Sequence, residues 1–251
     1  MTALTPVYSI AKAFTAAAIL REGISPDATI GSLAPVPARL GHLAIGDLLA
    51  HRSGLGDYGG WPDYRAAVDA RAPAWPESAV LDRVELGEPG NFRYSNAGYL
   101  LLRLALENHT GSAFFDALSL DFEAYPFDWS RVEAVDDLKR YDPRWVYTGT
   151  FVANIDHVAG GLARVVASDI GQRMLATRVV DAPGHPFAAP GYGLGLMTDG
   201  YPARYAGHGG GGPGFTLFAL ATADGSAAHG EVVAEETSDG HLIERCIAAL
   251  G

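Results

Sequence analysis

The chain has 251 residues, 48% of them hydrophobic, and a formal net charge of −11. That length and apolar share support one sizeable core and exclude a disordered chain, while the acidic balance without a basic cluster excludes nucleic acid or an anionic membrane surface as partner. No apolar run approaches the roughly 20 residues of a membrane span, and the single Cys246 rules out an intrachain disulfide.

The first predicted element is an apolar helix over 8–20, with Pro6 before it and Gly23 after it. It lacks a basic start and carries Ser9 and Lys12, so it does not read as a secretion signal. The expectation is a cytoplasmic protein, or a periplasmic one if an N-terminal extension is missing. Lys12 is one of only two lysines in the chain, and it stands three residues after Ser9. On a helix that spacing puts both on one face, one turn apart. Ser9 then lies in the first turn, where unpaired amides and the helix dipole favour developing negative charge. Burial would disfavour the ammonium and make Lys12 a proton acceptor for Ser9, a role that arginine could not fill. The alternative is a surface lysine snorkelling at a helix edge.

A proline-containing loop over 31–40 leads to a predicted helix over 43–50, ending at His51-Arg52-Ser53-Gly54. Residues 54–62 form a Gly-rich loop whose Tyr58 and Trp61 are expected to pack rather than to wall a pocket. Helices are predicted over 65–70, 78–84, 98–108 and 112–118. Between the second and third of these, a Pro-Gly turn over 87–91 brings Tyr94 and Asn96 to the mouth of a helix. A phenol there can carry a proton to a leaving group, and an amide can hold a carbonyl or orient the lysine. Alternatively Tyr94 is core and Asn96 is an N-cap. Residues 121–151 read as irregular and aromatic, with Trp129, Tyr141, Trp145 and Tyr147 shaping an acyl pocket or packing in the core.

Helical character returns over 158–176, then strands are predicted over 192–198, 205–208, 216–222 and 231–234, with a closing helix over 239–250 holding Cys246 as a buried thiol. Strands gathered at the end predict an antiparallel sheet. The run His208-Gly209-Gly210-Gly211-Gly212 leaves the main chain without side-chain cover, so another group can approach it and an exposed amide can serve an oxyanion hole; a flexible turn is the other reading. The remaining histidines lack metal-ligand spacing, and His51 reads as holding a loop. With no repeat or linker, the chain reads as a single domain, 1–251, with 1–42 and 152–251 as an α/β part and 43–151 as a mainly helical part.

In this order, Ser9-x-x-Lys12, Tyr94-x-Asn96 and His208-x-Gly210 resemble the three boxes of the serine β-lactamase and penicillin-binding-protein superfamily. More narrowly they are similar to its class C β-lactamase, D-alanyl-D-alanine carboxypeptidase and family VIII esterase branch. Flanking phrases agree, at 48–55, 160–162 with 167–169, and 192–195. The resemblance runs from about residue 8 to 215. It implies a β-lactamase-like α/β fold, an antiparallel sheet flanked by helices plus a helical subdomain. It also implies Ser9 as nucleophile, Lys12 as its base or base-orienting partner and Tyr94 as proton shuttle. Asn96 would lie near Lys12 and the acyl side, His208, Gly209 and Gly210 along the opposite wall, and the amides of Ser9 and Gly211 would form the oxyanion hole. Such a site hydrolyses a small ester, amide or D-peptide through an acyl-enzyme, without metal or cofactor.

Two departures bear on substrate and assembly. The family's stretch before the Ser-x-x-Lys helix is missing, which implies either a compact variant whose sheet is built mainly from the C-terminal half or a shortened chain with an open strand edge that a homo-oligomeric partner could cover. His208 also stands where β-lactamases place lysine. Histidine, with a reference pKa of about 6.5, anchors an anionic substrate weakly, which favours an esterase or D-amino-acid peptidase or amidase over a β-lactamase. A non-catalytic binding or assembly relative with an incomplete site is the alternative of a different class.

Overall fold

The computed structural model describes residues 3–133 and 136–251. The chain enters through a short strand, β1 (Leu4–Pro6), a 3-10 turn at Tyr8–Ile10 and helix α1 (Ala11–Arg21). Residues 11–20 are all buried, as befits a helix that is apolar on every side and runs through the centre of a domain. A helical region follows, comprising α2 (Ile45–Leu49), α3 (Pro62–Asp69), α4 (Glu77–Arg83), α5 (Asn96–Thr110) and α6 (Phe114–Leu118). The longest of these, α5, is capped at both ends by its own sequence. Ser95 Oγ accepts from the Gly98 amide at 3.0 Å, and Gly111 closes the last turn with φ +67°.

Next come β2 (Ala124–Pro126), α7 (Asp136–Lys139), β3 (Phe151–Asn154), α8 (Ile155–Ala167) and α9 (Asp169–Met174). The first three strands form a small antiparallel sheet in the order β1-β3-β2. The last part supplies β4 (Arg178–Val179), β5 (Pro190–Tyr192), β6 (Met197–Asp199), β7 (Tyr205–Gly212), β8 (Phe215–Thr222) and β9 (Ala228–Val233), then α10 (Gly240–Leu250). These six strands make an antiparallel sheet in chain order, with β4 and β9 at its edges.

Alternation along β8 determines what covers each face. Leu217, Ala219 and Ala221 join the main core with α1 and α8, whereas Phe218 and Leu220 pack on Leu242, Ile243 and Cys246 of α10. The mixed helix and antiparallel-sheet architecture is the one anticipated. Among the described residues, no helix is long and apolar enough to cross a membrane.

Three local expectations are corrected. The single strand over 192–198 is a hairpin, because Gly195 takes φ +77° and the Gly193 amide turns back to Leu196 O at 2.9 Å. The helix over 158–176 is two helices, broken where Ser168 adopts an extended backbone and caps α9 by accepting from the Gly171 amide at 3.1 Å. The small sheet was not anticipated, since strands of three or four residues are too short to display an alternating pattern.

Candidate active site

Ser9 sits in the 3-10 turn just ahead of α1, and neighbouring elements hold that turn from both sides. The Val7 amide donates to Phe151 O of β3 at 3.0 Å, and the Tyr8 hydroxyl donates to Pro213 O at 2.7 Å. Tyr8 itself takes φ +45°, a left-handed backbone that a bulky residue adopts only when its surroundings enforce it. The glycines of β7 permit the close approach. A Cβ on Gly210 would collide with the Val7 carbonyl, and one on Gly212 would lie 2.6 Å from the Tyr8 ring. The glycine run is therefore a strand pressed against the serine turn.

One turn further on, Lys12 is 1% exposed. Its Nζ lies 2.7 Å from Ser9 Oγ and 2.9 Å from Asn96 Oδ1, and stands over the Tyr94 and Tyr99 rings, 5.1 and 5.5 Å from their centroids. Burial lowers its pKa to about 7, with the nearby Asp57 carboxylate opposing the shift. Near neutral pH much of Lys12 is thus a free amine within reach of the serine proton. The snorkelling alternative does not hold for this side chain.

Asn96 is the first residue of α5, and Ser95 takes the capping role, so the amide of Asn96 is left for the site. Asp57, in the loop after α2, fixes its orientation. The Asn96 backbone amide donates to Asp57 Oδ1 at 2.8 Å and its Nδ2 to Oδ2 at 3.2 Å, which turns Oδ1 toward Lys12. Sequence reasoning missed Asp57. Its only trace there is a carboxylate in a Gly-rich loop, 39 positions from its partner.

Tyr94 lines the same cavity as Ser9. Burial, opposed by the neighbouring Ser9 hydroxyl and reinforced by Asp57 and Asp239, raises its pKa above the usual phenol value, so it remains a proton donor through the neutral and alkaline range. His51 braces it from behind. Its carbonyl accepts from the Arg93 amide at 2.8 Å, its Nδ1 accepts from the Ser95 amide at 3.1 Å, and its ring lies 4.3 Å from the Tyr94 ring. On β7, His208 Nδ1 bonds the Gly209 carbonyl at 2.6 Å, so Nδ1 carries the proton and Nε2 accepts from the Tyr192 hydroxyl at 3.0 Å. Burial first and Lys12 second push the His208 pKa down to about 3, against the Gly209 bond, which leaves the ring neutral.

Ser9 and Gly211 lie where two cavities of about 450 and 400 Å³ meet. Tyr94, His208, Gly209 and Gly210 line the first, and Asn96 the second. Gly211 is exposed, with no atom within 4 Å of where its Cβ would be. Tyr58, Tyr141 and Trp145 are buried in the aromatic core and also line the second cavity, so packing and pocket-building are not exclusive; Trp61 packs against Arg83, whose guanidinium lies 4.1 Å from its ring centroid. Among the described residues, no cluster of three or more His, Cys, Asp or Glu side chains is arranged to hold a metal. The eight residues singled out from the sequence are thus brought to one seam, between the start of α1, the start of α5 and β7.

A serine hydroxyl, a buried amine and a phenol therefore converge where the two cavities meet. Residues 2–120 match the family model described as Beta-lactamase, and the fold of the whole chain is shared by solved amidohydrolase and penicillin-binding-protein structures. The comparison with curated proteins gives no match. Solved structures with this fold include a D-stereospecific amidohydrolase from Streptomyces sp., at 22% identity and TM-score 0.77, covering 99% of this chain and 87% of that one. D-amino acid amidase from Ochrobactrum anthropi SV3, in complex with L-phenylalanine, aligns at 18% identity and TM-score 0.76, covering 99% and 85%. The octameric penicillin-binding protein homologue from Pyrococcus abyssi aligns at 18% and TM-score 0.74, covering 99% and 66%.

Proposed function

We propose that the protein is a serine hydrolase that forms an acyl-enzyme on Ser9 and releases it to water, acting on small esters or on D-aminoacyl amides and peptides. The observation that carries this reading is the 2.7 Å pairing of Ser9 Oγ with the buried, weakly basic Lys12 amine. In the first step Lys12 Nζ takes the Ser9 proton while Oγ bonds the substrate carbonyl carbon, and the oxyanion rests on the amides of Ser9 and Gly211. As the carbonyl reforms, the Tyr94 phenol hands its proton to the departing oxygen or nitrogen and recovers one from the Lys12 ammonium. Water then attacks the ester by the same path in reverse order, giving its proton to the amine and releasing the acid with Ser9 restored. Asn96, held by Asp57, keeps Lys12 aimed and faces the acyl side.

The relatives named for D-stereospecific amidohydrolase and D-amino acid amidase activities support the amide side of this substrate class. The test is the initial rate of p-nitrophenyl butyrate hydrolysis by the protein beside its Ser9→Ala variant, with circular dichroism showing both folded. The expected result is a rate that disappears with Ser9. Equal rates in both would overturn the reading and favour a non-catalytic relative.

A further inference from the structure

The larger cavity at Ser9 has apolar walls, including Phe92, Phe187 and Met197, and among the described residues neither lysine nor arginine lines it. Its two histidines do not supply positive charge. His208 is held neutral as described, and burial lowers the pKa of His185, with Asp239 and Asp199 opposing; its Nδ1 accepts from the Phe187 amide at 3.0 Å. Among the described residues, the one formal charge on the lining is Asp239. This residue stands at the N-terminus of α10 without capping it, and its carboxylate has neither an ion pair nor a side-chain hydrogen bond among the described residues. Gly209 makes the space for it, since a Cβ there would lie 2.5 Å from Asp239 Oδ2.

The cavity's place in the reaction follows from Tyr94. That phenol lines this cavity and Asn96 lines the other, and a group that protonates the departing atom belongs on the leaving-group side. Resting on the Ser9 reading above, we propose that Asp239 is a specificity-determining residue that makes the leaving-group cavity accept neutral or ammonium-bearing alcohols and amines and reject those that carry a carboxylate. An unpaired carboxylate facing a cavity with apolar walls attracts a cation and repels an anion more strongly than it would in water. Amides, neutral esters and peptides with a basic or amidated end fit; penicillins and peptides ending in a free carboxylate do not.

The test uses three butyrate esters of one shape, those of choline, of 3,3-dimethylbutanol and of 4-hydroxy-2,2-dimethylbutanoate, which are cationic, neutral and anionic on the alcohol side. At low ionic strength, kcat/KM falls in that order, with about tenfold or more between cation and anion, and added salt compresses the spread. In Asp239→Asn the cation-to-anion ratio collapses toward one; Asp239→Ser, which keeps a good capping residue, provides a second variant with the same ratio. A Ser9-dependent p-nitrophenyl butyrate rate accompanied by failure to turn over the series, by equal rates across it, or by a ranking that survives both substitutions overturns this inference and leaves the Ser9 reading standing. A p-nitrophenyl rate that does not depend on Ser9 overturns that reading itself.

Discussion

The two cavities that meet at Ser9 are built differently. One is walled by the sheet side of the molecule, from β5 to β7 and the entry to α10, and carries a lone carboxylate among apolar groups. The other is walled by the helical region, where Tyr58, Tyr64, Tyr141 and Trp145 stand beside charges of both signs from Arg65, Arg71, Asp69 and Glu236. Between them, the seam of α1, β7 and the start of α5 is tightly packed, with Ser9, Lys12, Asn96, Asp57 and His208 bonded to one another or to the main chain. On the proposed reading, that difference assigns chemistry and selection to separate parts. Changes in the seam should damage turnover of every substrate, whereas changes in a wall should re-rank substrates.

The largest effect expected is that of Ser9→Ala, a fall in kcat of at least about 10³-fold for substrates filling either cavity, read by steady-state kinetics. Lys12→Met should cost nearly as much, and the intact enzyme should show kcat/KM rising with pH through about 7 as the amine form accumulates. Lys12 also has a stability signature. Its folded pKa near 7 lies below its ordinary value of 10.5, so between those values the unfolded chain binds more protons and stability rises with pH. The buried amine therefore costs on the order of 4 kcal/mol at neutral pH. Urea titrations at pH 7 and 9 should show that rise in the wild type and lose most of it in Lys12→Met.

Tyr94→Phe should lower amide turnover by about 10²-fold and affect p-nitrophenyl esters less, because nitrophenolate departs without a proton. Gly210→Ala drives a methyl into the Val7 carbonyl and should cost about 1–3 kcal/mol of stability, whereas Gly211→Ala, facing open space, should cost under about 0.5 kcal/mol; thermal melts compare the two. The smallest change is expected from Asp57→Asn. Asp57 holds the Lys12 pKa up, so its loss should move the acid limb of the rate profile to lower pH, with a few-fold drop in kcat as Asn96 loosens.

Much of the seam was legible because it rests on short-range constraints. A lysine in an otherwise apolar helix, one turn from a serine, requires a chemical reason, and a run of glycines requires a close neighbour; both neighbours proved to be in the same place. Tyr94 and Asn96 were readable as polar groups at a helix mouth, although the choice of Ser95 over Asn96 as cap needed the backbone. What could not be read depends on long-range pairing. Asp57 is defined by its contact with Asn96, Asp239 by the space over Gly209, and β1 by its register with β3. The break at Ser168 was hidden because both flanking helices continue the same apolar periodicity, and the hairpin within 192–198 because its turn glycines sit inside an apolar run.

The most direct test of the central claim is the covalent labelling of the folded protein by a fluorophosphonate, followed by intact mass and peptide mapping across a pH series. A single adduct on Ser9 is expected, formed at a rate that rises with pH through about 7 and that is lost in Lys12→Met. A folded protein that takes no adduct on Ser9, or one whose Ser9 labels at the same rate with and without Lys12, would contradict that claim.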